Sequence, residues 1–221
     1  MKGLLVGVAL VAALGQMAFA TPSLNLVSGA SNVTVPGSAG TVSYSNLNFN
    51  GWNIDVVFGA SNSPGLSGVH GGFGIDITSL TATCQGGTCS ADPLDIYLSD
   101  TGFTQVVAAG GFSTDYSSTQ SGGSTTQWAW DDTTNTLFGE GTLIGKVGPF
   151  TGTNHGTASG GGPAGPAAYS LTIEDIFNAA GGAASFSTDG DIYSVPEPGA
   201  IVLFGTALVF CASKLRRRKQ A

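Results

Sequence analysis

Two tryptophans spaced two residues apart, Trp128 and Trp130, are the side chains in this chain best suited to holding a ligand. In an extended segment they fall on one face. Exposed, they would make a platform on which sugar rings stack. Buried, they are a heavy piece of core. We read them as core and keep sugar stacking as the alternative; Trp52 and Tyr97 carry the same two readings. Asp131-Asp132 and Asp189-Gly190-Asp191 offer oxygen ligands of the kind Ca²⁺ takes. Neither matches a full loop signature, and Asp is a common turn former, so calcium is only a candidate cofactor and no metal site is assigned. The two histidines, His70 and His155, stand in no nucleophile–base motif, and fourteen acidic residues single out no carboxylate pair for glycoside hydrolysis. No catalytic residue is assigned, and we read the chain as a non-enzyme.

Cys84 and Cys89 bracket Gln85-Gly86-Gly87-Thr88. Gly-Gly predicts a two-residue hairpin turn with the cysteines facing each other across it. A disulfide at this hairpin tip closes a short loop and is worth about 2 kcal/mol by chain entropy. The C-x4-C spacing has no second ligand pair nearby, which argues against zinc. Cys211 lies in the apolar tail and receives no role.

The elements that must position these residues read as strands. Large or β-branched residues alternate with small polar ones in Thr41-Val42-Ser43-Tyr44-Ser45, Trp52-Asn53-Ile54-Asp55-Val56 and Ile75-Asp76-Ile77-Thr78. The pattern returns in Leu94-Asp95-Ile96-Tyr97-Leu98, Gln127-Trp128-Ala129-Trp130 and Tyr169-Ser170-Leu171-Thr172-Ile173. Clusters of Gly, Ser, Asn and Asp separate the runs. Ile173–Ala180 reads as strand then turn, because Gly181-Gly182 follows. Ser61–Gly72 and Thr151–Ala168, rich in glycine and proline, read as loops. The expected fold is all-β, an antiparallel β-sandwich with jelly-roll-like wiring. It is a single domain over residues 21–192, between an N-terminal signal peptide (1–20) and a C-terminal sorting and membrane region (193–221).

Charge is divided sharply along the chain. All fourteen acidic residues lie between Asp55 and Glu197, and Lys146 is the sole Lys or Arg between residues 21 and 213. Residues 21–198 therefore carry a net charge of −13. A body without cations has nothing to displace counterions from phosphate, which excludes nucleic acid as a partner. Solubility outside the cell is the plain consequence of this charge.

Both ends carry addresses. Lys2, the apolar stretch Leu4–Leu14 and the small-x-small ending Ala18-Phe19-Ala20 form a secretory signal peptide. Ala18 and Ala20 mark the cleavage site, so the exported chain begins at Thr21. Signal peptidase and the secretion translocon are the implied partners. At the other end, Val195-Pro196-Glu197-Pro198-Gly199 precedes an apolar run and then Lys214, Arg216, Arg217, Arg218 and Lys219. The two prolines forbid helix in the motif, and the basic cluster acts as a cytoplasmic stop. The run Gly199–Ser213 is fifteen residues, about 22 Å as a helix. That is shorter than a ~30 Å hydrocarbon core, and suits a segment that holds the chain only until it is cut.

Pro196-Glu197-Pro198, with this helix and arginine cluster at the extreme C-terminus, resembles a PEP-CTERM sorting signal. The resemblance implies a bacterial exported protein processed by an exosortase-type transpeptidase. It implies an inner-membrane-held precursor, then delivery to the cell surface or extracellular matrix, with exopolysaccharide as the associated material. Leu98-Ser99-Asp100-Thr101-Gly102-Phe103, Asn135–Gly139 and Leu143–Phe150 resemble a body type recurrent in that group, which supports fold and compartment but supplies no mechanism. The expected function is that of a non-catalytic surface or matrix protein; the alternative is a carbohydrate-binding module of the envelope.

Overall fold

The computed structural model describes residues 21–62, 74–107, 111–162 and 167–195. The signal peptide, His70, the sorting motif, the apolar run and the basic tail lie outside the described residues. Among the described residues no helix is long and apolar enough to cross a membrane.

Among the described residues twelve strands form two six-stranded sheets. They are β1 (Ser23–Ser28), β2 (Ser31–Pro36), β3 (Thr41–Phe49), β4 (Trp52–Ser61), β5 (Gly74–Cys84) and β6 (Leu94–Phe103). The second half supplies β7 (Phe112–Ser121), β8 (Ser124–Asp132), β9 (Thr142–Phe150), β10 (Thr153–Gly160), β11 (Tyr169–Asn178) and β12 (Ala184–Ser194). One sheet has the order β2-β1-β6-β11-β8-β9 and the other β10-β7-β12-β5-β4-β3. All pairings are antiparallel, and from β5 onward they are nested: β5 with β12, β6 with β11, β7 with β10 and β8 with β9. A long ribbon folded over in this way is a jelly roll. The hairpin β1–β2 extends one sheet and the meander β3–β4 the other. The described residues therefore form an all-β antiparallel sandwich with jelly-roll wiring.

Each of the six alternating runs lies within a strand. Leu94, Ile96 and Leu98 of β6 face Leu171 and Ile173 of β11 and Ile75, Ile77 and Leu80 of β5 in one apolar cluster. Aromatic rings complete it, with Phe177 edge-on to Phe186 at 5.3 Å and Phe103 stacked on Tyr169 at 5.7 Å. Trp52 is fully buried, and its indole N–H donates to the Asp92 carbonyl at 3.2 Å. The core reading holds for Trp52.

Three expectations are corrected. The Cys84–Cys89 disulfide is present, with Cα atoms 5.7 Å apart, but not at a hairpin tip. Cys84 ends β5 in one sheet, a single helical turn (α1, Thr88–Ala91) follows, and β6 pairs with β1 and β11 in the other sheet. The bond staples a crossover between sheets. A pair of glycines does mark a corner, but elsewhere: Gly122-Gly123, both at positive φ, carries the chain from β7 to β8 across the sandwich. A Cβ on Gly123 would strike the Asn178 carbonyl. Secondly, Thr153–Gly160 within the expected loop is strand β10, fully paired with β7. Its sequence, TNHGTASG, has no apolar alternation, and pairing rather than burial makes it a strand. Thirdly, β12 runs through Ser194, and the Val195 amide donates to the Gly111 carbonyl at 3.0 Å. The sheet thus continues beyond residue 192.

Candidate functional site

Trp128 and Trp130 do share a face, but it is the outer face of their sheet. Ala129 between them joins the apolar cluster, and neither tryptophan does. The reason lies on the inner side of β8, where Thr125, Gln127, Ala129 and Asp131 are buried. Strand alternation then sends both indoles outward. The core reading is overturned for Trp128, whereas Trp130 is buried, though outside the central apolar cluster.

The outer face carries an ordered row. Tyr97 on β6 stands opposite Glu174 on β11, Glu174 opposite Trp128 on β8, and Trp128 opposite Lys146 on β9. Tyr97 and Trp128 are half-buried; Glu174 retains 9 % of its surface. The Tyr97 phenol and the Glu174 carboxylate are close enough to perturb each other's ionisation. The indoles of Trp128 and Trp130 are parallel, 3° apart in plane and 5.9 Å between centroids. Trp130 keeps only 8 % of its surface and lies opposite Leu143. It supports Trp128 rather than meeting a ligand itself. Lys146 Nζ sits 4.4 Å from the Trp128 ring centroid, a cation–π contact.

The segment between β8 and β9, residues 133–141, folds back over one end of this face. Its Phe138 amide donates to Ser99 Oγ at 3.0 Å, and Ser170 Oγ donates to the Thr136 carbonyl at 2.7 Å. The Phe138 ring meets Tyr97 edge-on at 6.4 Å. Phe138 has φ of 59°, a conformation bulky residues avoid. Its anchored backbone and ring contact hold it there. The row is thus bounded by an aromatic wall at Tyr97 and Phe138 and by Lys146 at the far side.

Electrostatically the row is acidic. Burial raises the Glu174 carboxyl above its ordinary range, and repulsion from Asp95 and Glu140 adds to this, while the Tyr97 phenol opposes it. Burial also raises Asp95 and, with the neighbouring carboxylates, the Tyr97 phenol.

The remaining sequence candidates are dispersed. Asp131 points inward, 1 % exposed, and burial followed by the charge of Asp132 pushes it up to about 6. Asp132 points outward, and hydrogen bonds from the Thr134 hydroxyl and amide hold its carboxyl low. Adjacent strand residues on opposite faces cannot share an ion. Among the described residues no three His, Cys, Asp or Glu side chains gather in a metal-binding group. On the outer face of the second sheet a groove of about 550 Å³ is lined by residues including Ser79, Ser117, Thr119, His155, Ser187 and Asp189. There His155 Nε2 lies 2.7 Å from Asp115 Oδ1. That groove is lined by hydroxyls, Asn154, His155 and Asp189, with no Trp, Tyr or Phe in its lining.

Tyr97 is visible in the sequence as an ambiguous aromatic and Lys146 as the sole cation of the body, but neither Glu174 nor Phe138 is marked there as a site residue. Glu174 and Asp175 stand side by side on β11, so alternation alone does not say which of the two faces outward. Phe138 sits in an irregular segment and has no signal.

No family model matches the chain, and no curated protein matches it in sequence. Among solved structures it resembles a carbohydrate-binding module, TmCBM61, in complex with beta-1,4-galactotriose. The identity is 10 %, with 70 % of this chain and 88 % of that one covered and a TM-score of 0.33. It also resembles the N-terminal cellulose-binding domain of Cellulomonas fimi beta-1,4-glucanase C, at 16 % identity, 73 % and 92 % coverage and a TM-score of 0.30. A third is the K1 cleaved adhesin domain of Lys-gingipain from Porphyromonas gingivalis W83, at 15 % identity, 71 % and 99 % coverage and a TM-score of 0.29.

Proposed function

We propose that the β-sandwich is a non-catalytic glycan-binding domain carried by an exported chain that is sorted through its C-terminus. One observation carries the binding reading: Tyr97 and Trp128 stand on either side of Glu174 in a single register row on an outer face. Two aromatic surfaces with a hydrogen-bonding carboxylate between them match the alternating apolar and hydroxyl faces of a sugar ring. Because both rings lie outside the apolar core, removing them should spare the fold. Trp128→Ala and Tyr97→Ala are each expected to weaken retention on an immobilised target polysaccharide about tenfold, on the order of 1.4 kcal/mol. The thermal midpoint should move little. Undiminished retention in both variants, or no binding across a broad glycan survey, refutes the reading.

The sorting reading rests on Pro196-Glu197-Pro198, the apolar run and the basic tail. The Cys84–Cys89 disulfide supports an oxidising compartment. Two prolines keep the motif extended, so a processing enzyme grips its backbone without unwinding a helix. Glu197 is the charge between them. Glu197→Ala is expected to leave export intact and to accumulate a membrane-held precursor. Mass spectrometry of the released form checks this, and an unchanged C-terminus in the variant would sink the idea.

A further inference from the structure

The contact between Lys146 and Trp128 identifies a class of ligand. Lys146 is the sole Lys or Arg between residues 21 and 213, and its ammonium rests on the Trp128 ring. The other formal charges around this row, Glu174, Asp95 and Glu140, are negative and repel one another. A primary ammonium is therefore favoured here twice, by the ring quadrupole and by the acidic row beside it. We propose that this face takes glycans bearing free amines, such as chains of unacetylated hexosamine, in preference to neutral or uronate-bearing ones, with Lys146 as a built-in competitor for Trp128.

This rests on the glycan-binding reading of the same face. A hexosamine ring stacks its apolar side on Trp128, and its ammonium turns to Glu174 in the adjacent strand. A uronate placed there would meet carboxylates that already oppose each other's ionisation. Lys146 is exposed and carries its charge on a flexible stem, so it can leave the ring when a ligand arrives. Its departure costs the free protein a cation–π contact, which lowers apparent affinity in proportion to how often the lysine occupies the ring.

The test is calorimetric titration of the purified exported protein with glucosamine, N-acetylglucosamine and galacturonate hexamers. The glucosamine hexamer should bind about tenfold more tightly than the N-acetylated one, with the gap closing near 1 M salt, where screening reaches ~3 Å. Galacturonate should not bind. Lys146→Ala should bind the glucosamine hexamer about threefold more tightly, as expected for loss of a competitor worth under 1 kcal/mol at an exposed site. Asp95→Asn and Glu174→Gln should each lower the ratio of glucosamine to N-acetylglucosamine affinity, with the larger drop for Glu174→Gln. Trp128→Ala separates a defined site from bulk attraction of a polycation to an acidic protein: an undiminished glucosamine preference in that variant overturns the proposal. Equal affinities for the amine and acetylated hexamers overturn it too, but leave glycan binding standing. Failure of every hexamer to bind overturns both.

Discussion

Replacing Asp175 by Asn should stabilise the protein at pH 8 by an amount on the order of 4 kcal/mol and change it little at pH 3. Asp175 is fully buried on β11, facing the interior. Burial first, then repulsion from Glu174 and Asp189, pushes its carboxyl from an ordinary 3.8 up to about 7, against the hydrogen bond with Gln127. Below pH 4 the carboxyl is neutral whether the chain is folded or not. Between pH 4 and 7 the unfolded chain releases the proton while the folded chain holds it. The folded state then binds more protons, so stability falls as pH rises through this window and levels off above 7. Asn removes the charge and with it the slope; Asp131, raised to about 6, leaves a smaller slope of the same sign. The hydrogen bonding agrees with a neutral acid. Gln127 Nε2 lies 3.1 Å from Asp175 Oδ1, while Thr114 Oγ1 lies 2.6 Å from Gln127 Oε1 and 2.7 Å from the Asp191 carbonyl. Thr114 has one hydrogen for these two acceptors. With Asp175 protonated and the Gln127 amide turned over, the acid donates to the amide oxygen, the amide N–H to the Thr114 hydroxyl, and that hydroxyl to the carbonyl. The acid O–H, one amide N–H and the Thr114 hydroxyl then each have an acceptor. Urea denaturation from pH 3 to 8 checks this; equal slopes for wild type and Asp175→Asn would dismiss it.

Gly190→Ala is expected to cost about 3 kcal/mol or more. Gly190 lies on β12 at a register shift between Thr188 and Gly190. A Cβ there would collide with Gln127 Nε2 and come within 3.1 Å of Tyr116 Cδ2. Gln127 cannot retreat, because it is fully buried and bonded on both sides by Thr114 and Asp175. The added methyl therefore overpacks the interior and also breaks the chain of hydrogen bonds that ties the two sheets. Gly182→Ala is the control, since a Cβ there meets nothing within 4 Å. A Gly190→Ala midpoint matching that of the control in urea would refute the account.

These two predictions concern the part of the interior that the sequence conceals. Alternation in residues 94–98 and 169–173 marks strands, because a half-buried strand must repeat every second residue. It does not say which neighbour covers which face. At Gln127-Trp128-Ala129-Trp130 the expectation that both indoles join the sandwich core failed: Trp128 is half-buried and Trp130, though buried, lies outside the central cluster. Gln127 is satisfied by Thr114 and Asp175, residues 13 and 48 positions away, and once it is inside, both tryptophans must be out. The Gly86-Gly87 hairpin failed similarly: local turn chemistry favoured one, but β6 found its partners in β1 and β11.

The sequence by itself determined the all-β character, the acidic body, the pairing of two cysteines five residues apart and the expectation of an exported chain with a sorting tail. Each is a local or compositional property, legible wherever it occurs along the chain. Only the tertiary structure decided that β10 is a strand, that the disulfide joins a crossover, and that Tyr97, Glu174, Trp128 and Lys146 stand in one row. Those residues come from four strands that are neighbours in the sheet but not in the sequence. Their alignment follows from antiparallel register, which is set by the whole set of pairings and by a polar interior that forces the aromatic side of β8 to face outward.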